Sequence, residues 1–316
     1  MTARVVRRTA LAAGVFVLMA ALTFLGVEAL PGDGCTALLG RNATPEKLAQ
    51  CRADNGLDRP VFTRLGEWAT GLVQGDLGRS IMRDDDVATI VAPRLRNSLL
   101  LAGVAALLSF PIAVWVGLRA GRQPEARSSR LADAAGLVLM TLPEFVTASV
   151  LWLLFSIWLP LLPGVAVLSS DAGIAEVLPT VWLPAITLGL LVFAHVMRSV
   201  RAGVVAASAR PFADAARNRG VPERSVMRRH VLPAAMPGAV NVMAVTAAWL
   251  LTGTFVVEVV FNYPGLGRLA VDAISDRDTA LILTLTLFGL LVFVASSFVS
   301  DLVVRRLDPR AGMDPS

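Results

Sequence analysis

Asp214-Ala215-Ala216-Arg217-Asn218-Arg219-Gly220, with Val231-Leu232-Pro233 downstream, is a polar stretch between two long apolar runs. Its local reading is helix, break, helix. Pro211 suits a first helical turn, where its missing N–H would be unpaired anyway. Asp214 then puts a carboxylate near the positive end of the helix dipole. Ala215 and Ala216 combine high helix propensity with little bulk, so another surface can approach closely. Gly220 tolerates the left-handed backbone that ends a helix. Pro222-Glu223 predicts a second helix through Arg229, and Leu232-Pro233 with Pro237 predict a turn back towards the next apolar run. An ordinary helix-turn-helix on the inner face of any membrane protein would read the same way, so the flanks decide.

The flanks read as membrane spans. The 316 residues are 55% hydrophobic, with a mean hydropathy of +0.65, against about 45–50% apolar for a soluble domain. Six runs, 9–30, 99–118, 134–162, 177–197, 239–257 and 280–299, match the roughly 20 apolar residues that cross a core of about 30 Å. Only Glu28, Glu144 and His195 put ionisable groups inside them. Strands over such sequence would need a closed barrel and an alternating pattern. The expected fold is an all-α polytopic membrane protein with six transmembrane helices. Its expected parts are an N-terminal segment with the first span (1–30), a long external loop (31–97), a transmembrane domain (98–310) containing a cytoplasmic loop at about 199–237, and a tail (311–316).

The formal charge of +5 and pI near 10.4 do not mark a nucleic-acid binder, because of where the charge lies. Arg4, Arg7 and Arg8 precede the first run, and Arg119, Arg122, Arg127 and Arg130 follow the second. Arg198, Arg201, Arg210, Arg217, Arg219, Arg224, Arg228 and Arg229 follow the fourth, and Arg305, Arg306 and Arg310 follow the sixth. With six spans all of these face one side, which places both termini in the cytoplasm. Arg7-Arg8 and the first run imitate a cleavable signal peptide, but the run is longer than a signal core of about 7–15 residues. We read it as a retained helix. Cys35 and Cys51 are the 2 cysteines. Both fall in the external loop, where oxidation is permitted, and a bridge between them or two free thiols fit the sequence equally.

That loop carries structure of its own. Thr44-Pro45-Glu46 is a helix start, with an N-cap threonine and a proline at the first position, and Gly56 ends the helix. Val61, Leu65, Trp68, Leu72 and Val73 recur at helical spacing. Gly75-Asp76-Leu77-Gly78-Arg79-Ser80 follows as a turn. Pro111, Pro143 and Pro160 predict kinks within spans two and three. Catalytic signals are missing. Lys47 is the lone lysine, so no G-x-x-x-x-G-K-[ST] phosphate loop exists. His195 and His230 cannot form an H-E-x-x-H zinc site, and there is no G-x-S-x-G elbow. The chain reads as no enzyme, with no catalytic residue and no metal site.

The polar stretch, with its Ala pair, its Gly break and its Leu-Pro end, resembles the EAA loop of ABC importer permeases. Val257-Glu258-Val259-Val260-Phe261-Asn262-Tyr263-Pro264-Gly265-Leu266-Gly267-Arg268-Leu269 is similar to a segment of the dipeptide/oligopeptide/nickel family's B-type transmembrane subunit. Arg198-Ser199-Val200-Arg201-Ala202, Leu142-Pro143-Glu144-Phe145 and the Gly75-Asp76-Leu77-Gly78 corner with Ser80 resemble further segments of that family, in the same order. Asp214 stands where glutamate is common outside the family, and Arg210-Pro211 replaces an acidic pair. The resemblance implies a multi-pass permease of the bacterial inner membrane whose Asp214, Ala215, Ala216, Arg217, Arg219 and Gly220 couple to an ATPase. It also implies a C-type permease partner, two ATPase subunits carrying ATP and Mg, an extracellular solute-binding protein and a peptide substrate. This chain itself would bind no cofactor. Nickel chelates, glutathione or another small solute fit the same architecture. A stand-alone secondary transporter or a channel would share the apolar pattern without the coupling loop.

Two carboxylates are candidates for the path. Glu144, inside a span, costs about 2.5–3.5 kcal/mol at a helix centre. It is expected either to meet a cationic group of the substrate or to lie neutral or Arg-paired in the bundle. Glu258, at the outer end of span five, is expected to orient the following turn or to contact a docked binding protein. His195 and the tryptophans read as interfacial or packing side chains.

Overall fold

The computed structural model describes residues 2–29, 32–166 and 173–307. Its helices are α1 (Thr2–Glu28), α2 (Gly34–Leu39), α3 (Pro45–Asp54), α4 (Val61–Val73), α5 (Val87–Arg122), α6 (Arg127–Thr141), α7 (Glu144–Trp152), α8 (Ile174–Val177), α9 (Trp182–Ser208), α10 (Pro211–Asn218), α11 (Glu223–Val226), α12 (Leu232–Val260), α13 (Leu266–Ser275) and α14 (Thr279–Leu307). Among the described residues the strands are a two-residue antiparallel pair, β1 (Arg79–Ser80) and β2 (Asp85–Asp86).

Three described helical stretches, Val87–Arg122, Trp182–Ser208 and Glu223–Ala247, are long and apolar enough to cross a bilayer. A fourth counts only if α6 and the stretch Glu144–Trp158 are taken as one span, and these are bent by 108°. Val17–Glu28 and Thr279–Val292 are shorter apolar stretches within α1 and α14. The described residues thus give three or four candidate spans where the hydropathy pattern predicts six.

Two local expectations need correcting, and a third holds with a sharper bend than a kink. The run 134–162 breaks at Pro143, where a kink is expected, and turns by 108°. Pro143 disfavours the helical region for the residue before it, and Leu142 is extended at φ −74°, ψ 132°. The second span begins at Val87, well before residue 99, because Val87 and Val91 are buried with Leu266, Leu269, Leu281 and Leu285. That is a tertiary effect which hydropathy does not see. Leu232-Pro233 makes no turn either. The chain passes from α11 through a π turn, Met227–Val231, into α12. Widening the helix by one residue there, with the Leu232 N–H donating to the Met227 carbonyl, relieves the collision that a proline ring makes with the preceding turn.

Two compact units emerge. The first gathers α1 to α4, α5 as far as Ser98, α13, and α14 as far as Val294. Cys35 and Cys51 are joined in a disulfide, with Cα atoms 5.9 Å apart, and this ties α2 to α3. Asp33 caps α2, its Oδ1 accepting from the Thr36 N–H at 2.9 Å, and its Oδ2 accepts from Arg52 Nε at 2.7 Å. The Gly75–Ser80 corner is likewise pinned. Asp76 accepts from the Gly78 N–H at 2.8 Å, and the Ser80 hydroxyl donates to Asp278, a buried residue just ahead of α14. Asn97 donates to the Pro264 carbonyl at 2.9 Å, and Ser98 accepts from the Leu266 N–H at 2.9 Å.

The second unit is built around α9. Its inward face, from Leu183 to Ala207, is largely buried. Close approach is bought with glycine. A Cβ added at Gly117 would lie 2.7 Å from the Met197 carbonyl oxygen, and one at Gly121 would lie 2.6 Å from the Val204 Cβ. On α9 itself, a Cβ at Gly203 would lie 2.9 Å from the Ala235 carbonyl oxygen of α12. Gly117 and Gly121 form the small-x-x-x-small spacing that lets membrane helices meet at their backbones.

Gly121→Leu is expected to lower stability by about 1–3 kcal/mol through overpacking, read as a lower melting temperature of the purified protein. The Asp33 cap should respond to acid. Burial pushes the Asp33 carboxyl up, but hydrogen bonds from Thr36 and Arg52 outweigh it and hold the group below its usual value. A depressed carboxylate stabilises the fold above its unfolded value of about 3.9 and loses that contribution as pH falls through the folded one. Proteolysis within residues 32–58 should therefore rise only below about pH 4, and Asp33→Asn should remove that dependence.

Candidate functional site

The polar stretch folds as α10, a left-handed glycine and α11. Arg210 is extended, Pro211 opens the helix, and Asp214 sits in the first turn. Gly220 has φ +77°, and a Cβ there would meet nothing within 4 Å. The position therefore demands glycine for its backbone and not for space. The alanine pair divides. Ala216 is buried with Ala213 against its own chain, whereas Ala215 is exposed beside Phe212, Asp214 and Arg219. Residues 212, 215 and 219 lie near helical spacing, so the free face of α10 is Phe212-Ala215-Arg219, and Ala216 is not part of it.

Arg217 fixes the angle between α10 and α11. Its Nη1 is 3.0 Å from Asp214 Oδ1 and donates to the Ser208 carbonyl at 3.1 Å. Its Nε and Nη2 donate to the two Glu223 oxygens at 3.0 and 3.1 Å. Glu223 first, and Asp214 after it, hold this guanidinium above its ordinary pKa. The pairs are exposed, so they contribute geometry more than stability.

Upstream, Asp133 of α6 pairs with two arginines of α9, Arg198 Nη1 at 3.0 Å and Arg201 Nη1 at 3.6 Å. Sequence reasoning passed over Asp133. Nothing in the sequence ties it to these arginines, since Arg198 is 65 positions away and the pairing exists only once α6 and α9 are neighbours.

The two carboxylates of the apolar region sit differently. Glu144 opens α7 directly after the Pro143 break, half-buried, with an Oε1 that is buried and has no hydrogen-bond partner. Thr147, one turn on and also buried, has an unpartnered hydroxyl. Glu258 is fully buried in α12. The turn after it is held by backbone, with Tyr263 N–H donating to the Glu258 carbonyl at 2.8 Å and Asn262, at φ +50°, donating to the Ala166 carbonyl at 3.1 Å. The structure does not bring Glu144 and Glu258 into a described contact. His195 is exposed, and among the described residues no three His, Cys, Asp or Glu side chains cluster as a metal site.

Residues 109–313 match the family described as the binding-protein-dependent transport system inner membrane component. Residues 1–101 match the N-terminal membrane component of such systems. The chain belongs to this family of ABC transporter permeases. A protein of Brucella abortus described as a peptide transport system permease is 32% identical over 99% of this chain and 100% of its own length. The oligopeptide transport system permease AppB of Bacillus subtilis is 26% identical over 98% of this chain and 99% of its own. The glutathione transport system permease GsiC of Salmonella choleraesuis is 32% identical over 92% and 93%. A crystal structure of an amino acid ABC transporter superposes with a TM-score of 0.56 at 17% identity, covering 69% of this chain and 94% of the other. That likeness concerns the fold.

The division of the alanine pair is testable by itself. Ala216→Leu should lower the melting temperature through overpacking of about 1–3 kcal/mol. Ala215→Leu, on the free face, should stay within about 0.5 kcal/mol of the parent.

Proposed function

We propose that this permease is the B-type transmembrane subunit of an ATP-driven importer of di- and oligopeptides. In this reading it forms half of the translocation path beside a second, C-type permease. Six helices span the inner membrane with both termini in the cytoplasm, α1 and α14 supplying two of the spans. Two ATPase subunits bind ATP and Mg below, and an extracellular solute-binding protein delivers the peptide. The observation that carries the reading is the free Phe212-Ala215-Arg219 face of α10, held at a fixed angle by Arg217 and ended by Gly220. It is a short, apolar-and-basic knob on a segment rich in arginine, suited to a cleft on a separate subunit. The full-length relatives described as peptide and oligopeptide permeases support the substrate class. A second reading, glutathione import, draws on a relative that is 32% identical and covers 92% of this chain. Glutathione is itself a modified tripeptide, so both readings share a peptide-like solute.

Glu144 is our candidate for the path. Its position at the break of a bent apolar helix, with an unpartnered oxygen, suits contact with a cationic group of the solute.

Ala215→Trp and Gly220→Val are expected to leave insertion and melting within a few degrees of the parent. Both should reduce peptide uptake at least tenfold, because the first blocks the face and the second strains the left-handed end of α10 by about 1–2 kcal/mol. Uptake into vesicles containing the complete assembly, alongside its ATP hydrolysis, reads this out. Parental uptake in both variants would refute docking through α10.

A further inference from the structure

The first unit contains a cleft that neither the α10 knob nor Glu144 belongs to. Its walls include Val27, Glu28, Gly32, Asp33, Arg64 and Arg277, and it encloses about 60 Å³, enough for a small polar group. The acids lining it are already engaged. Glu28 is ion-paired with Arg64, and Asp33 with Arg52 at 2.7 Å. The bases are not. Among the described residues the Arg277 guanidinium has neither an ion pair nor a hydrogen bond, and the Nε of Arg64 is buried without a partner. Arg64 also lies over the Phe24 ring, 5.9 Å from its centre, which limits its freedom to turn elsewhere.

The backbone is shaped to hold Arg277 there. Arg277 has φ +53°, a left-handed conformation uncommon outside glycine. It is fixed by hydrogen bonds from its own N–H to the Ile274 carbonyl at 3.2 Å and from the Asp278 N–H to the Ala273 carbonyl at 2.9 Å. Opposite it, Gly32 has φ +88°, and a Cβ there would lie 2.2 Å from Arg277 Nη1. Any side chain at position 32 would evict the guanidinium. A strained residue, a bare neighbour and a cation without a counter-ion together describe a site waiting for an anion.

We propose that this cleft binds a carboxylate, gripped by the Arg277 fork with Arg64 Nε donating from the side. The proposal rests on the importer reading, which puts the end of α1 and this cleft at the outer side of the membrane. Two carriers bring a carboxylate there: the C-terminus of the peptide, or an acidic side chain of the docked binding protein. The shared chemistry is the carboxylate, and one experiment separates the sources.

The complete assembly in nanodiscs is titrated with loaded binding protein, following ATP hydrolysis. The load is a tripeptide with either a free or an amidated C-terminus. Arg277→Gln should raise the half-saturating concentration about tenfold with the free acid. Arg277→Lys, which keeps charge and bulk but loses the fork, should fall between. If the peptide supplies the group, amidation reproduces the Arg277→Gln shift in the parent and the variant no longer distinguishes the two loads. If the binding protein supplies it, the shift is the same for both loads. Curves for Arg277→Gln and Arg277→Lys that superimpose on the parent overturn the site. A parent assembly that ignores loaded binding protein overturns the importer reading instead.

Discussion

Backbone-to-backbone contact at α9 is the constraint on which the second unit depends. In a bilayer, helices gain little from burying apolar surface against one another, because lipid tails are equally apolar. Close packing holds them instead, and here that closeness comes from Gly117 and Gly121 on α5 and Gly203 on α9. Gly136 does the same for α6, where a Cβ would lie 3.0 Å from Met197 Cε, and Asp133 on that helix pairs with both Arg198 and Arg201. The end of α9 is thereby fixed, and α10 hangs from that fixed end through Arg217 and the Ser208 carbonyl.

The first unit obeys a different logic. Its elements are short, and its apolar cluster, Val87 to Leu285, joins residues far apart in the chain. Polar ties supply the cohesion that the small core lacks. They are a disulfide, a capped α2, the Ser80–Asp278 hydrogen bond and the Asn97 and Ser98 clamps on the Pro264–Leu266 turn. This explains the Gly75–Ser80 corner in physical terms. Its glycines and Asp76 set a turn that delivers the Ser80 hydroxyl to a buried carboxylate.

The helical class and the family were legible from apolar runs and from motif order, because both are properties of composition along the chain. Local chemistry was legible too where it depends on one or two residues. Gly220 and Pro211 each do what their covalent structure dictates. The sequence hid anything set by a neighbour distant in the chain. Hydropathy placed the start of α5 at residue 99 because it could not see Val87 and Val91 meeting Leu266 and Leu281. The sequence marked a kink at Pro143 in the run 134–162 but not its size, a bend of 108°. It assigned both Ala215 and Ala216 to an approaching surface, when a helix of this pitch must turn one of two adjacent residues inward. Asp133, Gly32 and Arg277 gave no signal at all, since their partners are 65 or more positions away or on another element.

The π turn at Met227–Val231 has a geometric consequence for the whole of α12. Each additional residue in a helical winding rotates the next turns by about 100°. That single inserted step therefore decides which stripe of α12 points inward, and with it the inward placement of Val257, Glu258 and Phe261. The phase of a long membrane helix is thus set at its N-terminal root, beside the segment proposed to meet the ATPase. A change in winding at that root would twist the far end of α12 without lengthening or tilting it.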